Sequence, residues 1–189
     1  MPGLLVVIRH GQTEWSGSGQ HTGNTDIPLT DQGRDDARRL RSRLNDRHFE
    51  LVLCSPLVRA WDTAVLAGLG DQAQVDKNLV EWDYGDYEGL TTAEIREQVP
   101  GWTVWTHPSR GGETAAQVAA RADAVLDRVR PALHHGDVAL VAHGHYLRVL
   151  TARWLGLGPE AGVHFLLDPS TISELGHDRD TPAICRWNA

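Results

Sequence analysis

The stretch LLVVIRHGQTEWSGSGQHTG, Leu4 to Gly23, decides the fold. Leu4–Ile8 is an unbroken apolar run with no polar alternation. That pattern suits a strand covered on both faces, as in a parallel sheet. The run passes straight into Arg9, His10 and Gly11, then into a loop of Gly, Ser, Gln and Thr. A buried strand that ends on a guanidinium and an imidazole carries them to a sheet edge, where such groups can meet a ligand.

Two further runs have the same character, Leu51–Leu53 and Val138–Ala142. Helical signals fall between and after them. Thr30 caps a predicted helix with Ala37, Leu40 and Leu44 on one face. Ser55-Pro56 reads as a cap followed by proline at the first helical position, opening a helix to about Leu66. Thr91 with Glu94, and Thr114 with Gln117, are capping-box patterns. The second precedes a stripe of Val118, Ala122, Val125 and Val129, and Pro131 stops that helix. A helix from about Tyr146 to Leu155 follows. The tail predicts two extended segments, Thr171–Leu175 and Ala183–Trp187, around a turn. Strand alternates with helix, so the expected fold is α/β, a three-layer sandwich with a mainly parallel central sheet. The 189 residues suit one core, hence one domain over residues 1–189.

In such sheets ligands bind beyond the carboxyl ends of the strands. All three runs end on reactive residues: Arg9-His10-Gly11, then Cys54-Ser55-Pro56 with Arg59 a helical turn later, then His143-Gly144-His145. One strand-end histidine is usually structural; three such ends on one edge are a pattern. A fourth element, NLVEWDYGDYEGL, holds Glu81, Asp83, Asp86 and Glu88 among aromatics and glycines. It reads either as a solvated acidic loop or as the source of a carboxyl with a raised pKa, packed on Trp82 or Tyr84 and able to donate a proton. Two arginines, two histidines and a protonatable carboxyl fit phosphoryl transfer to a histidine. Guanidinium forks match phosphate oxygens, and an unprotonated imidazole is a competent nucleophile.

Composition sets the limits. A net charge of −7 gives no global case for nucleic acid or an anionic membrane, so any anion site is local. Lys77 is the sole lysine among 18 basic residues, and arginine is the better partner for forked phosphate contacts. Cys54 and Cys185 form no disulfide framework. No run is long enough to span a membrane, and Leu4–Ile8 is too short for a signal-peptide core, which predicts a cytoplasmic protein. His143-Gly144-His145 can also be read as half a metal site, but no matching pair stands at suitable spacing, so no metal and no cofactor are expected.

These motifs, in this order, resemble the histidine phosphatase superfamily, the phosphoglycerate-mutase-like proteins. IRHGQTEW resembles its Arg-His-Gly signature, and HTGNTDIPLTDQG its loop and first helix. CSPLVRAWDTA resembles the second-arginine segment, LVEWDYGDYEGLT the acid segment, and VAHGHYLRVL the second-histidine segment. The resemblance implies His10 as the phosphorylated nucleophile. It implies Arg9, Arg59 and His143 as the phosphoryl clamp, and Glu81 as the acid and later the base. Within the family the chain is similar to sedoheptulose-bisphosphatase-type members and actinobacterial acid phosphatases. That similarity implies substrate contacts at Thr22, Gly23, Tyr84 and Arg148. Ser16, Gln20 and His145 are further pocket candidates, with His145 alternatively supporting His143 or the helix start. Trp102 and Trp105 are candidates to cap the pocket, and Arg110 to reach the far end of a substrate. Gln12 stands where many members have glutamate and has no assigned role.

The implied activity is metal-independent hydrolysis of small phosphomonoesters, with a homodimer as a family-level expectation. Cofactor-dependent phosphoglycerate mutase is the alternative. The short stretch between the acid and the second histidine argues against it, because a small lid admits water to a phosphohistidine. A non-catalytic phosphate-binding module is the remote alternative, since none of the five core residues is replaced.

Overall fold

A computed structural model describes residues 3–189. The opening run forms β1 (Leu5–Arg9), followed by α1 (Glu14–Ser18) and α2 (Asp31–Leu44). Then come β2 (Phe49–Cys54), α3 (Val58–Leu66), β3 (Ala73–Val75), α4 (Thr92–Gln98) and α5 (Ala115–Val129). The chain closes with β4 (Asp137–Ala142), α6 (Gly144–Trp154), β5 (Ile172–Asp178) and β6 (Thr181–Arg186).

The six strands form one sheet in the order β3-β2-β4-β1-β5-β6. Pairings β2–β3, β2–β4 and β1–β4 are parallel; β1–β5 and β5–β6 are antiparallel. Successive side chains of a strand point to opposite faces, and both faces are covered. Val6, Ile8, Val52, Ala139 and Val141 pack with Leu40, Leu44, Ala60 and Ala64 of α2 and α3. Leu5, Val7, Leu53, Val138 and Leu140 pack with Val118, Val125, Leu147 and Leu150 of α5 and α6. This is the expected three-layer sandwich, and it explains why the strands carry no polar alternation.

The caps at Thr30, Thr91 and Thr114 stand where the sequence puts them. The helix start at Ser55-Pro56 does not. Helix α3 begins at Val58, with Leu57 at the cap and no side-chain cap bond of its own. Asp26 Oδ1 accepts the Val58 N–H at 2.8 Å instead. Ser55 Oγ lies 2.7 Å from His143 Nε2, so Ser55 belongs to the strand-end cluster. The tail is a hairpin, longer than predicted, whose strands extend into the turn-rich segment. The short edge strand β3 gave no sequence signal.

Register positions the site. Arg9 pairs with Ala142, and Cys54 with Val141. The ladder continues one residue further: His10 N–H donates to the Ala142 carbonyl and Ser55 N–H to the Val141 carbonyl, both at 3.0 Å. His10, Ser55 and His143 therefore leave three adjacent strands at one level. The first turn of α2 closes on this edge through two glycines. A Cβ on Gly11 would stand 2.5 Å from the Gly33 carbonyl oxygen, so only glycine permits that approach.

Candidate active site

His10 is 5% exposed. Its Nδ1 lies 2.7 Å from the Gly11 carbonyl oxygen. A carbonyl only accepts, so Nδ1 carries the hydrogen and the neutral ring keeps its lone pair on Nε2. Burial pulls the imidazole pKa well below its usual value, and the charges of Arg59 and Arg9 pull it further. The ring is held neutral and in one tautomer.

His143 lies behind it, with ring centroids 5.1 Å apart. Arg59 Nε donates to His143 Nδ1 at 3.2 Å, so Nε2 carries the hydrogen and donates to Ser55 Oγ. Both His143 nitrogens thus have protein partners, and the ring is wholly buried. Arg59 is also wholly buried. Its Nη1 donates to Thr25 O at 2.9 Å, and its Nη2 to Thr22 O at 3.2 Å and Gly23 O at 2.8 Å. With the bond to His143 that makes four of the five guanidinium N–H groups, leaving one on Nη1. Arg9 is different. Its Nη1 donates to the Leu167 carbonyl, while its Nε is buried with no partner. Its Nη2 has no protein partner among the described residues, and Arg9 lines the same cavity as His10, so Nη2 is the donor left for an anion.

Glu81 is buried near the N-terminus of α6. Its Oε1 accepts the N–H groups of Trp82 and Tyr146, both at 2.8 Å, and its Oε2 accepts that of His145 at 3.0 Å. It thereby serves helix donors that no side chain at the His143 cap position serves. Those bonds and Arg59 favour the carboxylate, yet burial outweighs them and raises the pKa. A carboxyl held against water while facing a pocket can donate a proton.

The cavity over these groups holds about 180 Å³ and is lined by Arg9, His10, Glu81 and a mostly polar wall. Thr22, Ser16, Gln20, Tyr84, His145 and Arg148 all contribute to that wall. Tyr84 hydroxyl and His145 Nδ1 are 2.5 Å apart. His145 therefore partners Tyr84 rather than His143, while its backbone serves Glu81. Arg148 is pinned by the carbonyls of Gly162 and Val163 and lies over the Trp105 ring at 4.7 Å. Gly23 is not in the lining, because its N–H is committed to the Glu88 carboxylate at 2.9 and 3.0 Å. Trp102 is core, 1% exposed, rather than a cap, and Trp105 stands half-buried against His145. Arg110 projects into solvent and pairs with Asp86 at 3.5 Å. Gln12 braces the start of α2, its carbonyl and amide oxygens accepting from Thr30.

Comparison with known proteins agrees with this geometry. The family described as histidine phosphatase superfamily (branch 1) matches residues 5–189. The chain belongs to the histidine phosphatase superfamily. Among its members, an acid phosphatase of Mycobacterium tuberculosis is 43% identical over 176 residues, covering 92% of this chain and 86% of its own. Sedoheptulose 1,7-bisphosphatase of Saccharomyces cerevisiae is 37% identical over 192 residues, covering 84% and 70%. A solved structure of an open reading frame product of M. tuberculosis superposes with a TM-score of 0.94 at 40% identity, covering 98% and 97%. The chain is a phosphatase-type member of this superfamily with its α/β fold.

Sequence reading missed three participants. His21 lines the cavity, stacks 5.8 Å from His145, and is held neutral by burial, its pKa lowered to about 4. A histidine between Gln20 and Thr22, both pocket candidates, was the available signal. Leu167, whose carbonyl holds Arg9, comes from the distant tail and had no signal. Ser55 was read as a helix cap. Among the described residues no group of three or more His, Cys, Asp or Glu side chains gathers as a metal site would require.

Proposed function

We propose that the chain is a metal-independent phosphomonoesterase for small, hydroxylated phosphorylated metabolites, working through a phosphohistidine on His10. The observation that carries this is the open Nε2 lone pair of a neutral His10 in a cavity that Arg9 and the protonatable Glu81 also line.

In the first step the His10 Nε2 lone pair forms a bond to phosphorus and the P–O ester bond breaks. Glu81 gives its proton to the departing oxygen. In the second, Glu81, now a carboxylate, takes a proton from water as that water attacks phosphorus and the P–N bond breaks. Inorganic phosphate leaves, and His10 and Glu81 return to their starting forms. Arg9 offers its unpaired Nη2 to the phosphoryl oxygens. Arg59, buried outside the lining, adds its positive charge from behind, and His143 accepts its Nε–H. Thr22, Ser16, Gln20, Tyr84, His145 and Arg148 would read the rest of the substrate; Leu167 is the one aliphatic side chain in the lining, so sugar phosphates or phosphorylated acids suit it. The names of the relatives, acid phosphatase and sedoheptulose 1,7-bisphosphatase, support that class.

The deciding experiment is phosphate release from sugar mono- and bisphosphates, phosphoglycerates and an aryl phosphate with EDTA present. Isomerisation of 3-phosphoglycerate is followed in parallel, with and without 2,3-bisphosphoglycerate. Release without metal is expected; isomerisation faster than release would make the chain a mutase. Small phosphorylated metabolites are charged and stay inside cells, so a cytoplasmic location belongs to the same proposal. So do a single catalytic domain and the family-level homodimer, which light scattering would read.

A further inference from the structure

The acidic segment NLVEWDYGDYEGL separates into distinct duties in the structure. Glu81 faces the cavity. Asp83 Oδ1 accepts the Gly85 N–H at 2.9 Å within its own turn, and Asp86 pairs with Arg110 at the surface. Glu88 does something else. Its Oε1 and Oε2 accept the Gly23 N–H, and Oε1 also accepts the Thr25 N–H at 3.0 Å.

The same loop is held from its other side. Arg59 takes the carbonyl oxygens of Thr22, Gly23 and Thr25. The Thr22–Gly23 peptide group is therefore gripped at both ends, with the Glu88 carboxylate at its hydrogen and the Arg59 guanidinium at its oxygen. An anion at the positive end of a dipole and a cation at the negative end both favour one orientation, and each bond is charge-assisted. Gly23 makes the approach possible: a Cβ there would stand 2.6 Å from Glu88 Oε2 and 2.7 Å from the Trp82 carbonyl oxygen. Burial lowers the Arg59 pKa, while the charges of Glu81, Asp26, Tyr84 and Glu88 oppose it.

We propose that Glu88 is a positioning residue for phosphoryl transfer, fixing the loop amides so that the loop carbonyls hold Arg59, and through it His143, behind His10. Glu88 does not line the cavity. It acts through a chain of contacts: the loop to Arg59, Arg59 Nε to His143 Nδ1, and the His143 ring 5.1 Å from that of His10. The inference rests on the phosphatase reading above for its kinetic form. It draws on both the acceptors and the charge of Glu88, because its two oxygens receive the Gly23 and Thr25 amides.

The test is a double-variant cycle on an aryl phosphate. E88A is expected to lower kcat/KM by roughly tenfold to a hundredfold, the scale of an ångström-level misplacement near the reacting atoms. E88Q keeps one acceptor oxygen but sets an amide donor where Oε2 meets the Gly23 N–H, so it should recover only part of that loss. In an R59K background, E88A should cost about twofold or less, because effects routed through one partner do not add. Wild-type kinetics in E88A, or the same fractional loss with and without R59K, would overturn the proposal. A residue that only supports folding would lower the melting temperature and keep its losses additive. Should E88A fail to fold, E88D carries the same cycle, its carboxylate standing one methylene short of the amides. Inorganic phosphate affinity, measured by calorimetry, reads the clamp without turnover; equal affinity in wild type and E88A would count against Glu88. Absence of turnover in the wild type would sink the phosphatase reading instead.

Discussion

His10 donates its Nδ1–H to the carbonyl oxygen of Gly11 at 2.7 Å, and this bond decides which nitrogen of the ring can react. Phosphorylation is expected on Nε2. Rapid quenching with substrate, followed by phosphohistidine-resolving chromatography or 31P NMR, should find acid-labile phosphate on Nε2 of His10. The H10A variant should lose both the adduct and turnover. An Nδ1 adduct would contradict the tautomer assigned here.

Glu81 should matter in proportion to how badly the leaving group needs a proton. E81Q keeps the shape and loses the proton, so alkyl phosphates should slow by about 10²–10⁴-fold, the usual range for a positioned acid. An aryl phosphate, which leaves as a stable phenolate, should slow far less in the phosphorylation step. Equal losses on both would count against an acid role.

The pH dependence of kcat/KM follows from two opposed shifts. His10 must be neutral, and burial with Arg59 and Arg9 holds its pKa low, so the acid limb lies below the ordinary histidine range. Glu81 must be protonated, and burial raises its pKa, so activity on alkyl phosphates declines as pH rises through that raised value. The optimum is expected on the acid side of neutrality. E81Q should flatten the basic limb and leave the acid limb in place.

Stability should fall on acidification. His10 and His143 are buried and His21 and His145 half-buried, and all four have folded pKa values lowered first by desolvation. The unfolded chain then binds protons that the folded chain refuses. The stabilisation is complete above the unfolded histidine pKa of about 6.5 and is lost as pH drops through the folded values, which for His21 means down to about 4. Each such histidine contributes a slope of up to about 1.4 kcal/mol per pH unit. Glu81, with its raised pKa, works in the opposite sense and offsets part of this. Urea melts between pH 7 and pH 5 should show a falling midpoint, and a flat profile would mean that the histidines take up protons in the native state.

Arg148 is fixed by two carbonyls and the Trp105 ring, at the cavity wall. R148A should raise KM for metabolites with a polar or anionic tail by roughly tenfold, the worth of one charged hydrogen bond. It should leave an aryl phosphate within a small factor. A uniform loss across both substrates would place Arg148 in the phosphoryl clamp.

The strands and caps were legible because their signals are local. Leu4–Ile8 and Val138–Ala142 are apolar without alternation since helices cover both faces of the sheet. Thr91 with Glu94 forms its capping box within four residues. Ser55 was misread for the opposite reason. A serine before proline looks like a cap locally, but its hydroxyl is taken by His143, 88 residues away. Trp102 was placed at the pocket mouth because its neighbours are Pro and Gly, and the core took it instead.

The reactive groups and their carriers are written in the sequence: an arginine and a histidine at the end of one buried strand, an arginine after the second, a histidine after the third. Residue type and strand pattern suffice for that, since each is written in a few consecutive positions. Their states arise only on folding. The insertion of β4 between β1 and β2 brings His10 and His143 side by side. The tautomer of His10 is set by the adjacent Gly11, but its neutrality, the raised pKa of Glu81 and the grip of Glu88 on the loop follow from desolvation and partners far apart in the chain. Burial and long-range hydrogen bonds exist only once the layers have closed, and no local pattern encodes them.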